Sequence, residues 1–128
     1  MAIIRPECHL WGEKFSPSKL LEINPKLIMR LSNEPGEMGN TGKFKNLPQP
    51  HGACLIITPN EIENSKRIIW MADLIFQNKK LFIDAGATEI IYWIYWHGLQ
   101  GNMEFSPEQI KKIGNLDIHL CIDYIQER

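Results

Sequence analysis

The chain has 128 residues, 44% of them hydrophobic and 23% charged, a length and balance that fit one globular domain burying roughly two thirds of its unfolded surface. Lysines and arginines number 14 against 15 acidic side chains, for a formal net charge of −1; no overall field is available to hold a phosphate backbone, so nucleic acid is not an expected partner. The opening Met-Ala-Ile-Ile-Arg-Pro-Glu lacks the basic and long apolar regions of a secretory signal, and no later apolar run reaches bilayer length, so a soluble, cytoplasmic protein with no membrane partner is expected.

Cys8, Cys54 and Cys121 form an odd set without a CxxC pair, which suits reduced, buried or half-buried thiols better than a disulfide framework. The first strand is read over Ile3 to Trp11, and Pro6, which cannot donate to a ladder, suggests an edge position or a bulge. Gly12 ends it. Ser16-Pro17 then opens a helix as N-cap and first helical residue, with Leu20, Leu21 and Ile23 as its buried side and Pro25 stopping it near Glu22. Leu27 to Leu31 reads as a short strand.

From Ser32 to His51 the composition turns to glycine, asparagine and proline, and residues 32–51 are expected to form a long loop, mobile in the free protein. Ala53 to Ile57 resumes a short buried strand. Thr58-Pro59-Asn60-Glu61 has the register of a capping box, so a helix is expected from Thr58, with Ile62, Ile68, Ile69, Ala72, Ile75 and Phe76 as its apolar stripe. Leu81 to Asp84 either extends that helix or forms a separate turn, and Gly86 supplies a left-handed terminus.

Ala87 to Trp96, dense in β-branched and aromatic residues, reads as the central strand. Thr88, Ile90, Tyr92, Ile94 and Trp96 fall on one face; Ala87, Glu89, Ile91, Trp93 and Tyr95 fall on the other. Both faces are largely apolar, so the strand is expected to be covered on both sides, at least partly. His97 to Asn102 reads as a loop. Phe105-Ser106-Pro107 opens another capped helix, closed by Gly114 and buried through Ile110 and Ile113. It echoes Phe15-Ser16-Pro17, a similarity that two related halves or convergence on good capping would explain equally. Leu116 to Ile125 is the last strand, with Leu116, Ile118, Leu120, Ile122 and Tyr124 dry and Asp117, His119, Cys121 and Asp123 polar.

The order of elements implies one α+β domain over residues 1–128: a mixed, mainly antiparallel sheet of about five strands with three helices packed on it. Gly36 to Lys43 departs from a phosphate-binding loop, because five residues precede Gly42-Lys43 and Phe44 occupies the hydroxyl position. Cys8-His9, His51 with Cys54, and His119 with Cys121 lack zinc-finger spacing. No metal, cofactor or catalytic residue is therefore expected. Trp93, Tyr95, Trp96 and His97 are candidates for an aromatic platform, with Trp96 and His97 the first choices for partner binding where the strand gives way to a loop. An alternative is a small enzyme or ligand-binding domain that uses the His119, Cys121 and Asp123 strand face.

Several stretches together resemble a bacterial domain-of-unknown-function family of small α+β proteins, some of which are predicted immunity proteins beside toxin genes. They are the strand and proline-led helix of Cys8 to Leu21, the Ile23-Asn24-Pro25 turn with its glycine-bearing loop, the Tyr92-Trp93 strand, the Phe105-Ser106-Pro107 helix and the closing Asp123-Tyr124. The resemblance implies an α+β fold, no assigned active site, and a non-catalytic role in which the chain binds and neutralises a cognate toxin.

Overall fold

The computed structural model describes residues 2–99 and 102–126. Strand β1 (Ile3–Gly12) is followed by α1 (Pro17–Ile23), β2 (Met29–Asn33), β3 (Gly52–Ile57), α2 (Arg67–Asp84), β4 (Glu89–Gly98), α3 (Pro107–Gly114) and β5 (His119–Gln126). The strands form one sheet in the order β2-β3-β1-β4-β5. Every neighbouring pair is antiparallel except β4 and β5, which are parallel. The expected α+β architecture is what the chain adopts. None of its described helices is long and apolar enough to cross a membrane.

This connectivity decides where the helices go. By the pairing, β1 and β2 run one way and β3, β4 and β5 the other. Each helix joins two strands of like direction: α1 from β1 to β2, α2 from β3 to β4, α3 from β4 to β5. Such crossovers are right-handed in nearly all proteins. The first moves one way across the sheet on an up strand and the other two move the opposite way on down strands, so all three helices fall on the same face. The single core cluster agrees: Leu20 of α1, Ile68, Met71, Ala72, Ile75 and Phe82 of α2, and half-buried Ile113 of α3 pack with Cys8, Leu10, Cys54, Ile56, Tyr92 and Ile94. Tyr92 is fully buried, and its hydroxyl donates to the Ile68 carbonyl at 2.7 Å.

The second face of β4 carries no helix. Ile91, Trp93 and Tyr95 take no part in that core cluster and are half-buried, so the cover expected at least partly on both sides is full on the helix face and partial on this one. Nor is β4 the middle strand: it lies fourth in the order, and β1 takes the centre despite Pro6. The proline is tolerated there because the β3 pairing ends at Glu7 and Ile57. Its carbonyl accepts from the Thr58 hydroxyl at 2.8 Å, so its missing N–H faces that same side, beyond the last rung.

That hydroxyl explains a further correction. Thr58 does not cap a helix, because its side chain serves β1; the chain turns at Asn60 and Glu61, with the Ile62 amide donating to the Pro59 carbonyl, a 3₁₀ turn spans Asn64–Lys66, and α2 starts only at Arg67. The Asn64 side chain accepts from the Ile4 amide at 2.8 Å and donates to the Ala2 carbonyl at 2.7 Å, extending the pairing of β1 without a strand. The Arg67 guanidinium holds the turn by donating to the carbonyls of Ile62, Ile4 and Asn60. With the later start, the buried stripe runs Ile68, Met71, Ala72, Ile75, Asn78 and Phe82, and Phe76 is exposed. Leu81 to Asp84 continues the helix, and Gly86 does take a positive φ of 106°.

Elsewhere, Ser16 and Ser106 cap α1 and α3 as read, the second with a complete capping box through Gln109. Ile23 and Ile110 are exposed rather than buried, because each helix is only two turns long and presents a narrow stripe. The left-handed residue after α3 is Asp117 (φ 53°), not Gly114. β2 begins two residues later than read and takes in Ser32 and Asn33, while β5 begins at His119 with Leu116 and Ile118 before it. The segment after β2 folds back on itself: the Gly36 amide donates to Gln49, the Gln49 amide to Glu37 and the Gly39 amide to Leu47. Glu34 also accepts from the Ser16 hydroxyl and, at 3.2 Å, from the Ser18 amide, tying the segment to the start of α1.

Candidate functional site

Alternation along β1 sends Ile4, Pro6, Cys8 and Leu10 into the core and leaves Arg5, Glu7, His9 and Trp11 on the open face. Register then fixes their neighbours. Arg5 lies opposite Tyr95, Glu7 opposite Trp93 and His9 opposite Ile91, while on the other side Glu7 and His9 face Ile57 and Leu55 of β3. Parallel pairing adds His119, Cys121 and Asp123 of β5 beside Ile91, Trp93 and Tyr95.

These side chains form a connected array. The His9 ring stacks on Trp93, with centroids 4.7 Å apart and planes within 10°. Its Nε2 donates to Glu7 Oε1 at 3.1 Å, and Arg30 of β2 donates to Glu7 Oε2 at 2.9 Å. Glu7 is thereby only 4% exposed although no helix covers it; a carboxylate so enclosed needs both partners. Arg5 lies over the Tyr95 ring at 5.9 Å, within cation–π range, and donates to His97 Nε2 at 2.8 Å. Since a guanidinium only donates, that nitrogen is the acceptor and its ring carries the proton on Nδ1. At the far side, Trp93 Nε1 donates to Asp123 Oδ2 at 3.1 Å. Burial, then the negative charges of Glu7 and Asp123, push the Tyr95 phenol up, so its hydroxyl keeps its proton. Arg5, Glu7, Arg30 and Arg67, with Thr58 and Asn60, also line a niche of about 90 Å³ at one end of this surface.

Of the two residues first chosen for partner binding, only one reaches this face. Trp96 points into the core, is 8% exposed and packs on Phe105 with ring centroids 5.7 Å apart. It is too enclosed to anchor a partner. His97 belongs to β4 rather than to a loop and sits half-buried on the open face with Arg5. Part of the expected loop, residues 100 and 101, lies outside the described residues. His119, Cys121 and Asp123 share the open face as the alternation implied, yet among the described residues no hydrogen bond joins any two of them, and Asp123 is engaged by Trp93. No group of three or more histidine, cysteine or acidic side chains is placed to hold a metal ion among the described residues.

Arg5, Glu7 and Arg30 were not singled out from sequence, and His9 was weighed only with Cys8 as a metal ligand. The signal for Arg5, Glu7 and His9 was present in β1, where polar residues alternate with Ile4, Pro6, Cys8 and Leu10. Arg30 joins them only through the β2-β3 register. Comparison with protein families, with curated proteins and with solved structures gives no match in any of the three.

Proposed function

We propose that the chain is a non-catalytic binding protein of the immunity type, which neutralises a cognate bacterial toxin in the cytoplasm by covering it with the open face of the sheet. The observation that carries this reading is the placement of half-exposed Trp11, Trp93 and Tyr95 with Arg5 and Arg30 on a face outside the helix-packed core. Tryptophan, tyrosine and arginine are the residues that most often dominate binding energy at protein interfaces. The stacking, cation–π contact and hydrogen bonds of Trp93, Tyr95, Arg5 and Arg30 hold those four in place before a partner arrives, which lowers the ordering cost of association. Three guanidiniums against one carboxylate around the niche at Arg5, Arg30 and Arg67 favour a partner that presents an acidic side chain there. The resemblance to immunity proteins agrees in kind.

The test is survival of cells that express a toxin whose gene neighbours this one, and the absence of any such gene overturns the proposal. Wild type protects; Trp93→Ala, shown to be folded by circular dichroism, loses protection. His119→Ala and Cys121→Ser at the rim retain it. Protection by Trp93→Ala at the wild-type level, or a turnover activity lost with His119 or Cys121, overturns the proposal.

A further inference from the structure

The sheet has two edges, and they differ. β2 is five residues long, with a register shift between Arg30 and Asn33 and a left-handed Leu31 (φ 51°). Such irregularity is how proteins blunt an edge against further pairing. β5 has eight residues, His-Leu-Cys-Ile-Asp-Tyr-Ile-Gln, with no proline, lysine or arginine and with Leu120 and Ile125 each 42% exposed. Among the described residues, no strand pairs with its outer side.

We propose that β5 is a self-pairing edge, joining two copies of the chain antiparallel about Cys121 into one continuous sheet. This inference does not depend on the proposed function. Its basis is self-complementarity. In a two-fold pair, residues directly opposite share a face, so a copy can shift only by steps that keep odd positions against odd ones. Centring on Cys121 sets His119 against Asp123 of the second copy, twice, on the open face. It also sets Leu120 against Ile122 of the second copy, twice, on the core face. Centring on Asp123 would oppose two like carboxylates, and centring on Ile122 would put His119 against Ile125 and Cys121 against Asp123. Only the first register gives both an imidazole–carboxylate hydrogen-bonding pair and an apolar pair. Trp93 already occupies Asp123 Oδ2, leaving Oδ1 for the second copy's imidazole.

Two measurements test this. A short bis-maleimide applied to the purified chain joins two thiols only if they lie close together, and Cys8 and Cys54 are buried whereas Cys121 is partly open. A covalent dimer that forms in wild type and is lost in Cys121→Ser is expected. In sedimentation equilibrium, His119→Asp places aspartate against aspartate and weakens the dimer by about tenfold, and the double variant His119→Asp/Asp123→Lys, which sets opposite charges against each other, recovers most of that loss. A chain that is monomeric up to about 1 mM, a cross-link that persists without Cys121, or a dimer indifferent to His119→Asp overturns the register.

Discussion

Ile94 and Ile91 lie on the same strand three residues apart but on opposite faces, so truncating each to alanine measures what the helix layer contributes. Ile94 is fully buried against α2 and the neighbouring strands. Alanine removes three carbons there, worth about 0.8 kcal/mol each, or about 2.4 kcal/mol in transfer free energy. The enclosed site cannot collapse fully, so a cavity term brings the cost to about 3 to 4 kcal/mol. Ile91 is half-buried between His9 of β1 and His119 of β5 on the unroofed side. Part of its surface already meets water, and water refills the space that truncation leaves; the cost is about 1 kcal/mol. Urea unfolding read by tryptophan fluorescence and by far-ultraviolet circular dichroism gives both values, with an unchanged slope expected. Equal losses, or a greater loss at Ile91, would mean that the second face is covered and that the open-face geometry is wrong.

Burial pushes the Cys8 thiol up, helped by Cys54, and pushes Cys54 up from 9.0 to about 12, helped by the charge of Glu34. The folded chain then keeps protons that the unfolded chain releases, so this stability is complete below pH 9 and declines as pH rises toward 12. Urea midpoints should fall above pH 9, less steeply in Cys54→Ala, and Cys121 should be the first thiol to react with a disulfide reagent. Gly86→Ala should destabilise by about 1 to 3 kcal/mol, since φ is 106° and a Cβ would stand 2.4 Å from the Lys14 carbonyl oxygen. An unchanged thermal midpoint would contradict that placement. Glu34→Ala should cost about 1 kcal/mol by releasing the start of α1, and should speed proteolysis between residues 34 and 51; cleavage at the wild-type rate would show that the tether does not hold the segment.

What was legible in the sequence depended on whether the signal was local. The alternation of β1, the β-branched density of β4 and the serine caps of α1 and α3 act over a few residues, and the structure follows them. Thr58 misled because its capping pattern is local while the carbonyl that claims its hydroxyl belongs to Pro6, 52 residues away. Which face of β4 the helices cover could not be read from β4 itself, since Tyr92 and Trp93 are comparable in apolar bulk. Crossover handedness across the whole sheet is what decides it. The same limit applied to the site. The polar row of β5 was visible, whereas the Glu7, His9 and Arg30 cluster needs β1, β2 and β3 brought into register.

The most direct measurement is the dissociation constant for the toxin proposed above as the partner, taken by titration calorimetry with three forms of the protein. Trp93→Ala removes the ring that stacks on His9 and holds Asp123 at the middle of the open face. Phe76→Ala removes a more exposed aromatic, 66% open to solvent, from the helix side, where α2 meets solvent. Binding through the sheet predicts a loss of about 2 kcal/mol or more, roughly thirtyfold or greater, for Trp93→Ala and near-wild-type affinity for Phe76→Ala. The reverse order, or equal affinities in all three, would place the interface elsewhere on the molecule.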